Sequence, residues 1–151
     1  MEVLRISEDQ YSNKLTASGK SARWNENNEY ILYTSSSRAL ATLEKVVNFN
    51  GILPGAIHKV MIISIADESH LITSVLEKDL PKNWRSDVSY SALRQIGSNW
   101  YTSGKSLILK VPSAIVTKEY NFLINLKHKE FKKNVKLIKV EEYFWDDIFL
   151  P

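Results

Sequence analysis

Residues 21–49 read SARWNENNEYILYTSSSRALATLEKVVNF, and this stretch sets the arrangement of the rest of the chain. Residues 29–35 are rich in Tyr, Ile and Leu, which predicts a β-strand. The serines at 35–37 offer side-chain oxygens that can cap free backbone N–H groups, so a helix is predicted to begin after them. Residues 38–47 contain strong helix formers and complete a strand, turn and helix unit.

The predicted helix carries a carboxylate on its inward side. At ~100° per residue, the apolar face consists of Leu40, Leu43 and Val47, flanked by Ala39 and Val46, with Arg38, Thr42 and Lys45 opposite. Glu44 lies only ~40° from Leu40, on the core side of the helix. A carboxylate that faces inward is costly unless it is paired or lines a polar cleft, so Glu44 is a candidate functional residue.

Each candidate in this stretch also has a purely structural interpretation. Glu44 could stand at the border of the apolar stripe and reach water or an arginine. Tyr33 alone is typical of a packed strand aromatic, and Arg23 alone is typical of a surface or ion-paired arginine. Helical spacing and residue type do not choose between the structural and the functional interpretation.

Length and composition predict one soluble globular domain covering residues 1–151. Of the 151 residues, 44% are apolar and 25% are charged, which is ordinary for this class of protein. The absence of cysteine excludes disulfides, cysteine-ligated zinc and a thiol nucleophile, and it fits a reducing cytosol. The opening sequence MEVLRISEDQ lacks the pattern of a signal peptide, and the longest apolar run is too short to span a bilayer.

The sequence offers few signals for metal, nucleotide or nucleic-acid binding. It lacks the Gly-x-Gly-x-x-Gly, P-loop and Gly-x-Ser-x-Gly motifs, and its 3 histidines lack ligand spacing, so no metal is expected. The net charge is +3. Lysines alternate with apolar residues near the C-terminus, at Lys127, Lys129, Lys132, Lys133, Lys136 and Lys139. We interpret them as a solvated face, with a non-catalytic nucleic-acid-binding module as the distant alternative.

The remaining segments predict strands mixed with a few helices, and therefore an α+β fold. Further strands are predicted at residues 2–6, 58–66 and 105–111, and a helix at residues 90–103 that Gly97 weakens. The less regular segments are a loop or short helix at 7–22, a loop with Gly51 and Pro54 at 48–58, and a strand or irregular edge at 71–80.

The segment after residue 111 is predicted to bend. Pro112 lacks a backbone donor, so the strand should kink at 112–113 and continue at 114–116. In the next segment, Asn121 and Asn125 are predicted to fix local turns.

Three segments in this order, RWN, ILYTSSSRALATLE and LKVPSAIV, resemble the RES-domain family, whose members are toxins of bacterial RES–Xre toxin–antitoxin modules. The resemblance covers nearly the whole chain. The matching positions are Arg23-Trp24, Tyr33-Thr34-Ser35, Leu43-Glu44, Leu109 to Ala114, Asn121 to Asn125, His128 and a degenerate Tyr143-Phe144-Trp145-Asp146. Ser21 and Ala22 replace the family's glycines, and asparagines replace glycine in the following turn, which can persist because Asn tolerates positive φ.

The resemblance implies a compact fold similar to that of ADP-ribosyltransferases and a reaction with NAD as the substrate. The implied toxin activity is cleavage of the nicotinamide–ribose bond by hydrolysis or phosphorolysis, with mono-ADP-ribosylation of a host protein as the alternative. By resemblance, Glu44 would stabilise positive charge on the ribose and Tyr33 would stack on nicotinamide. The implied NAD-binding residues are Arg23 at the pyrophosphate, Trp24 at the pocket wall and Ser113 beside the ribose, with Arg5 as a second phosphate candidate.

The resemblance also implies a partner. This would be an Xre-family helix-turn-helix antitoxin that covers the NAD cleft and supplies the only contact with DNA. The expected assembly is a homodimer or a toxin–antitoxin hetero-oligomer in the cytoplasm, with no membrane association.

Overall fold

The computed structural model describes residues 1–48 and 56–144, which form a mixed sheet with helices, and the predicted α+β class is confirmed. The strands are β1 (Glu2–Glu8), β2 (Ile31–Ser35), β3 (His58–Ile65), β4 (Ile72–Ser74), β5 (Ile108–Pro112), β6 (Tyr120–Asn125) and β7 (Val135–Glu142). The α-helices are α1 (Arg38–Asn48), α2 (Tyr90–Ser103) and α3 (Phe131–Asn134). Short 3₁₀ turns cover Asp9–Tyr11, Ser69–Leu71, Glu77–Asp79 and Asp87–Ser89.

The described strands form one 7-stranded sheet in the order β4-β5-β6-β2-β1-β3-β7. Neighbouring strands are antiparallel except β4 and β5, which are parallel. The central pair, β1 and β2, is joined at the single position Leu4↔Ser35. The side chain of Arg5 links the two strands further, since its Nη1 donates a 2.9 Å hydrogen bond to the carbonyl oxygen of Tyr33. Burial lowers the pKa of Arg5.

Helices α1 and α2 cover the same face of the sheet. Side chains alternate between faces along a strand, so Leu4 and its partner Ser35 share a face with Tyr33. The cluster under α1 is Leu4, Ile6, Ala41, Val60 and Ile62. The cluster under α2 is Trp24, Ile31, Trp84, Leu93, Trp100, Leu109, Val111 and Leu123. The other face is covered by a separate core that includes Val3, Met61, Ile63 and Ile124.

The buried face of α1 differs from the predicted one. Leu40 and Ala41 are buried at 1% and 6% exposure, whereas Leu43 and Val47 are exposed at 39% and 51%. The small Ala41 side chain packs directly on β1 and β3, which turns the helix so that Lys45, one turn later, is half-buried. Burial, with a smaller effect of the nearby Arg5 charge, lowers the pKa of Lys45 to about 8.

The segment after β5 also differs from the prediction. Pro112 ends the strand as the partner of Tyr120, and residues 113–119 form the connection to β6 rather than a continued strand. The backbone N–H of Ser113 donates to the carbonyl of Glu119 across this turn at 2.8 Å. Asn121 is therefore a residue of β6 and not of a local turn, because the chain has already reversed before it.

Several other expectations concern element boundaries. The helix at Tyr90–Ser103 matches the prediction, and the edge at 71–80 contains the short strand β4 between 3₁₀ turns. The turn after Trp24 persists with Asn28 at φ 68°, as expected for asparagine. The predicted loop with Gly51 and Pro54, and the tail beyond Phe144, lie outside the described residues. Among the described helices, none has the length and apolar character needed to cross a bilayer.

Candidate active site

The carboxylate of Glu44 points from α1 to the ends of the neighbouring strands β5 and β6. Its Oε1 accepts a 2.9 Å hydrogen bond from the hydroxyl of Ser113 and a 2.6 Å hydrogen bond from the side-chain amide of Asn121. Both donors contact the same oxygen. Within the described part of the chain no residue donates to Oε2, so this oxygen is the one available to a ligand.

Both the proton and the oxygen of the Ser113 hydroxyl form hydrogen bonds within this arrangement. Its single proton goes to Glu44, and its oxygen accepts from the backbone N–H groups of Ile115 and Val116 at 3.1 and 3.0 Å. Ser113 is 1% exposed. The turn after Pro112 therefore fixes the hydroxyl, and the hydroxyl in turn orients the carboxylate.

The ring of Tyr33 is half-buried on the same face of β2. Its hydroxyl accepts from the backbone N–H of Trp24 at 3.0 Å and donates to Oδ1 of Asn25 at 2.7 Å. Burial raises the pKa of Tyr33 well above the usual range. Tyr33 is thus neutral at physiological pH, and its hydroxyl holds the loop that carries Arg23.

Arg23 lies over the beginning of α2. Its Nη1 donates to the carbonyl of Arg85 at 3.1 Å, and its guanidinium is 4.9 Å from the ring centroid of Tyr90. Arg94 holds the same loop, since its Nε donates to the carbonyl of Ala22 at 2.7 Å. Within the described residues, the guanidinium of Arg23 donates one hydrogen bond, to the carbonyl oxygen of Arg85. Its other N–H groups can therefore bind an anion.

Trp24 does not form the predicted pocket wall. Its side chain is 2% exposed and lies in the core under α2, 6.5 Å from the ring of Trp84. A large apolar ring next to a buried strand gains more by joining the core than by lining a polar cleft. Trp24 therefore supports the Arg23 loop from beneath.

The structure brings the predicted residues into two adjacent groups. Glu44 and Ser113 are in direct contact, and Tyr33 is bonded to the Arg23 loop. The two groups meet on β2, because Tyr33 and Ser35 are two positions apart on one face and about 7 Å from each other. Ser35 continues the link, since its hydroxyl donates to Oδ1 of Asn121 at 2.8 Å.

Three residues of this arrangement were not predicted from the sequence. Asn121 holds Glu44, Asn25 holds Tyr33, and Gly97 lets the carbonyl of Trp24 approach α2 closely. The alternation of Asn121 with the apolar Phe122 is a strand pattern that could have signalled a polar residue on the sheet face. The other two depend on contacts between distant segments, which local sequence patterns do not contain.

A cavity of about 360 Å³ lies elsewhere, bordered by His70, Lys105, His128, Lys129 and Glu130 among others. None of the predicted site residues lines it. His128 already uses both ring nitrogens, one 2.8 Å from the carbonyl of Gly104 and one accepting from the N–H of Glu130 at 3.1 Å. Within the described residues, no group of His, Asp and Glu side chains is arranged to hold a metal ion.

Comparisons with known proteins agree with the resemblance found in the sequence. The family model described as RES domain matches residues 2–146. A protein named Toxin Res from Yersinia enterocolitica serotype O:8 / biotype 1B is 32% identical over 124 residues, which is 82% of this chain and 80% of that protein. A second relative, named Prs ADP-ribosylating toxin, from Sphingobium sp. strain YBL2, is 38% identical over 127 residues, covering 82% and 77%. A Toxin Res from Photorhabdus laumondii subsp. laumondii is 30% identical over 117 residues, covering 78% and 74%.

Proposed function

The chain belongs to the RES domain family, and on this basis we propose that it is a toxin that degrades NAD by cleaving the bond between nicotinamide and ribose. The observation that carries the proposal is the carboxylate of Glu44, which is fixed through Oε1 and leaves Oε2 for a ligand. Through Asn121 and Ser35 this carboxylate is linked to β2, the strand that carries Tyr33, and the hydroxyl of Tyr33 bonds the loop of Arg23.

The proposed reaction begins as the bond between C1′ of the ribose and the nicotinamide nitrogen breaks. The bonding electrons leave with nicotinamide, which becomes neutral, and positive charge develops on the ribose. A fixed carboxylate stabilises this charge more in the transition state than in the ground state, which is what accelerates the reaction. Water or phosphate then bonds to C1′, and the attacking oxygen of water loses its proton to solvent.

The other residues take roles in binding under this proposal. Tyr33 offers a ring face for nicotinamide, and Arg23 offers a planar fork for the pyrophosphate. Ser113 is proposed to act mainly through Glu44, because its only proton is donated to that carboxylate. Arg5 remains a second candidate for a phosphate contact.

Release of nicotinamide from NAD by the purified chain tests the proposal. We expect Glu44→Gln to lower kcat by about 10²- to 10³-fold, because an amide does not supply the negative charge that the transition state needs. Glu141→Gln is the matched control. Glu141 pairs with Arg38 at the start of the same helix, at 2.9 Å, so the control disturbs α1 without touching the Glu44 contacts.

Two results would contradict the proposed reaction. The first is a wild-type chain, free of any antitoxin, that releases no nicotinamide. The second is equal release by the wild type and the Glu44→Gln variant, which would place the chemistry elsewhere. Glu141→Gln should retain the wild-type rate.

Transfer of ADP-ribose to a host protein is the second candidate function. It is favoured by the 38% identical relative named as an ADP-ribosylating toxin. The same residues would serve, with a protein side chain in place of water or phosphate as the acceptor. NAD labelled in the adenylate part separates the candidates, since free labelled ADP-ribose or its phosphate supports degradation and label bound to protein supports transfer.

We further propose an antitoxin partner, because two of the relatives carry the name Toxin Res. The partner suggested by the resemblance is an Xre-family helix-turn-helix protein that covers the NAD cleft and contacts DNA. Co-expression with an Xre-family antitoxin should suppress nicotinamide release, and size-exclusion chromatography should then show a toxin–antitoxin complex. A co-expressed chain that stays active and elutes unaccompanied would contradict this partner.

A further inference from the structure

We propose that Asn121 is a positioning residue for the reaction, and that Ser35 orients it. In this arrangement the side-chain amide of Asn121 holds the Glu44 carboxylate in the orientation in which it faces the substrate. The inference rests on the proposed function, in which Glu44 stabilises charge on the ribose. It goes beyond that function by assigning a role to two residues on the sheet that do not themselves contact the substrate.

The register of the sheet places the two residues side by side. Ser35 and Asn121 are directly paired positions of β2 and β6, so their side chains emerge next to each other on the face under α1 and α2. The Ser35 hydroxyl donates to Oδ1 of Asn121 at 2.8 Å. Because this oxygen is only an acceptor, the bond turns the NH₂ group of the amide toward α1.

The NH₂ group then meets the carboxylate of Glu44. Its Nδ2 lies 2.6 Å from Oε1, and the hydroxyl of Ser113 reaches the same oxygen from the turn after β5. A single donor would allow the carboxylate to rotate about its own axis, whereas two donors, one on β6 and one in the turn after β5, restrict that rotation. A hydrogen bond to a charged acceptor is also stronger than one between neutral groups.

Asn121 is half-buried at the edge of the core, and its hydrogen bonds argue against a role in packing alone. Its partner on β5 is Val111, which is fully buried, so an apolar residue would fit the same strand position. A polar side chain at such a position is costly unless its groups are satisfied. Both groups of this amide are satisfied, one by Ser35 and one by Glu44.

The test uses the near-isosteric variants Asn121→Asp and Asn121→Leu, with nicotinamide release measured from pH 5.5 to pH 8. At pH 8 we expect kcat of Asn121→Asp to fall about 10- to 100-fold with little change in KM, since two carboxylates then face each other. At lower pH the pair shares one proton, a hydrogen bond returns, and activity relative to wild type should recover. Asn121→Leu should lose about 10-fold in kcat at every pH, because it has no group to titrate.

Asn125→Asp provides the matched control. Asn125 lies on the same strand, and its Nδ2 donates to the carbonyl of Tyr101 at 3.3 Å, away from Glu44. The variant should show a wild-type pH profile for kcat, whatever its thermal stability. A Ser35→Ala variant should lose activity by a smaller factor than Asn121→Leu, because it removes only the group that orients the amide.

The outcomes separate this inference from the proposed function. If the wild type releases nicotinamide and Glu44→Gln does not, while both Asn121 variants keep the wild-type kcat, the positioning role is wrong and the proposed function stands. A pH-independent loss in Asn121→Asp equal to that of Asn121→Leu would also overturn the role. If the wild type itself releases no nicotinamide, the proposed function fails and this inference fails with it.

Discussion

Gly97 shows how one hydrogen atom can decide the position of a loop. A Cβ atom at this position would lie 1.6 Å from the backbone carbonyl oxygen of Trp24, on the buried face of α2. Alanine is normally favoured over glycine inside a helix by about 0.5–1 kcal/mol. Here the close approach of the Trp24 carbonyl reverses that preference, and it makes the glycine a requirement of the Arg23 loop.

We therefore expect Gly97→Ala to lower the free energy of unfolding by about 1–3 kcal/mol and to raise the KM for NAD, because the Arg23 loop must move. Denaturant unfolding and nicotinamide release measure the two effects. Gln95→Ala is the control, since Gln95 is exposed on the same helix and should show neither effect. A Gly97→Ala protein more stable than the wild type would contradict this contact.

The hydroxyl of Tyr33 can be separated from its ring by the substitution Tyr33→Phe. The substitution leaves the N–H of Trp24 and the side-chain oxygen of Asn25 without a partner, so we expect a loss of about 1–3 kcal/mol in unfolding free energy. The ring remains, so the KM for NAD should change much less than in Tyr33→Leu. Equal KM values in the two variants would count against stacking of nicotinamide on the ring.

At the scale of elements, the sequence predicts which segments are regular but not how they face each other. The helix at Tyr90–Ser103 and the strand at His58–Ile65 follow from periodicity and β-branched content. The predicted inward face of α1 is confirmed at Leu40 and wrong at Leu43 and Val47, because Ala41 packs over β1 and β3, a contact between segments that are distant in sequence. The chain reversal at residues 113–119 was missed because Pro112 is compatible with either a bend or a strand end.

The half-buried Lys45 gives α1 a measurable pH dependence. Its pKa is about 8 in the folded chain, whereas the ordinary value of 10.5 applies to the unfolded chain. Between these two pH values the unfolded chain therefore binds more protons than the folded chain. Burial of the charge therefore opposes folding fully below about pH 8, and the penalty is relieved as pH rises toward 10.5. The stability of the wild type should rise across this window relative to Lys45→Met.

Urea unfolding at pH 7, 8, 9 and 10 measures this difference. The difference in unfolding free energy between the wild type and Lys45→Met should increase by less than about 1.4 kcal/mol per pH unit, because solvent screens a partly exposed group. Lys129→Met is the control, since that side chain is exposed, and its curve should run parallel to that of the wild type. Parallel curves of the wild type and Lys45→Met would show that burial does not lower the pKa of this ammonium in the folded chain.

At the scale of the whole molecule, the candidate site depends on strand order. Glu44 meets Ser113 and Asn121 because β2 lies beside β6, which lies beside β5, although these residues are 69 and 77 positions apart. The resemblance to the family grouped Glu44 with Ser113, but their contact depends on a topology that local patterns do not encode. For the same reason, the contact between Asn121 and Glu44 follows from the order of the strands and could not be predicted from the local sequence.

The lysines between residues 127 and 139 are exposed, as the interpretation of a solvated face predicts, and they do not form one uniform basic surface. The ammonium of Lys136 donates to the carbonyl of Lys132 at 2.6 Å, and that of Lys139 lies 3.9 Å from Oε1 of Glu141. These neighbours lower the positive potential that a phosphate backbone would meet. The net charge of +3 adds little long-range attraction.

We therefore expect the chain alone to bind duplex oligonucleotides weakly, with a salt dependence that corresponds to fewer than about three phosphate contacts. Fluorescence anisotropy between 50 and 200 mM salt measures the slope, and the double variant Lys132→Gln, Lys133→Gln should leave it unchanged. A steep slope that this variant reduces would instead support the nucleic-acid-binding alternative. In that case both proteins of the toxin–antitoxin complex would contact DNA, because the basic face of this chain would bind it directly.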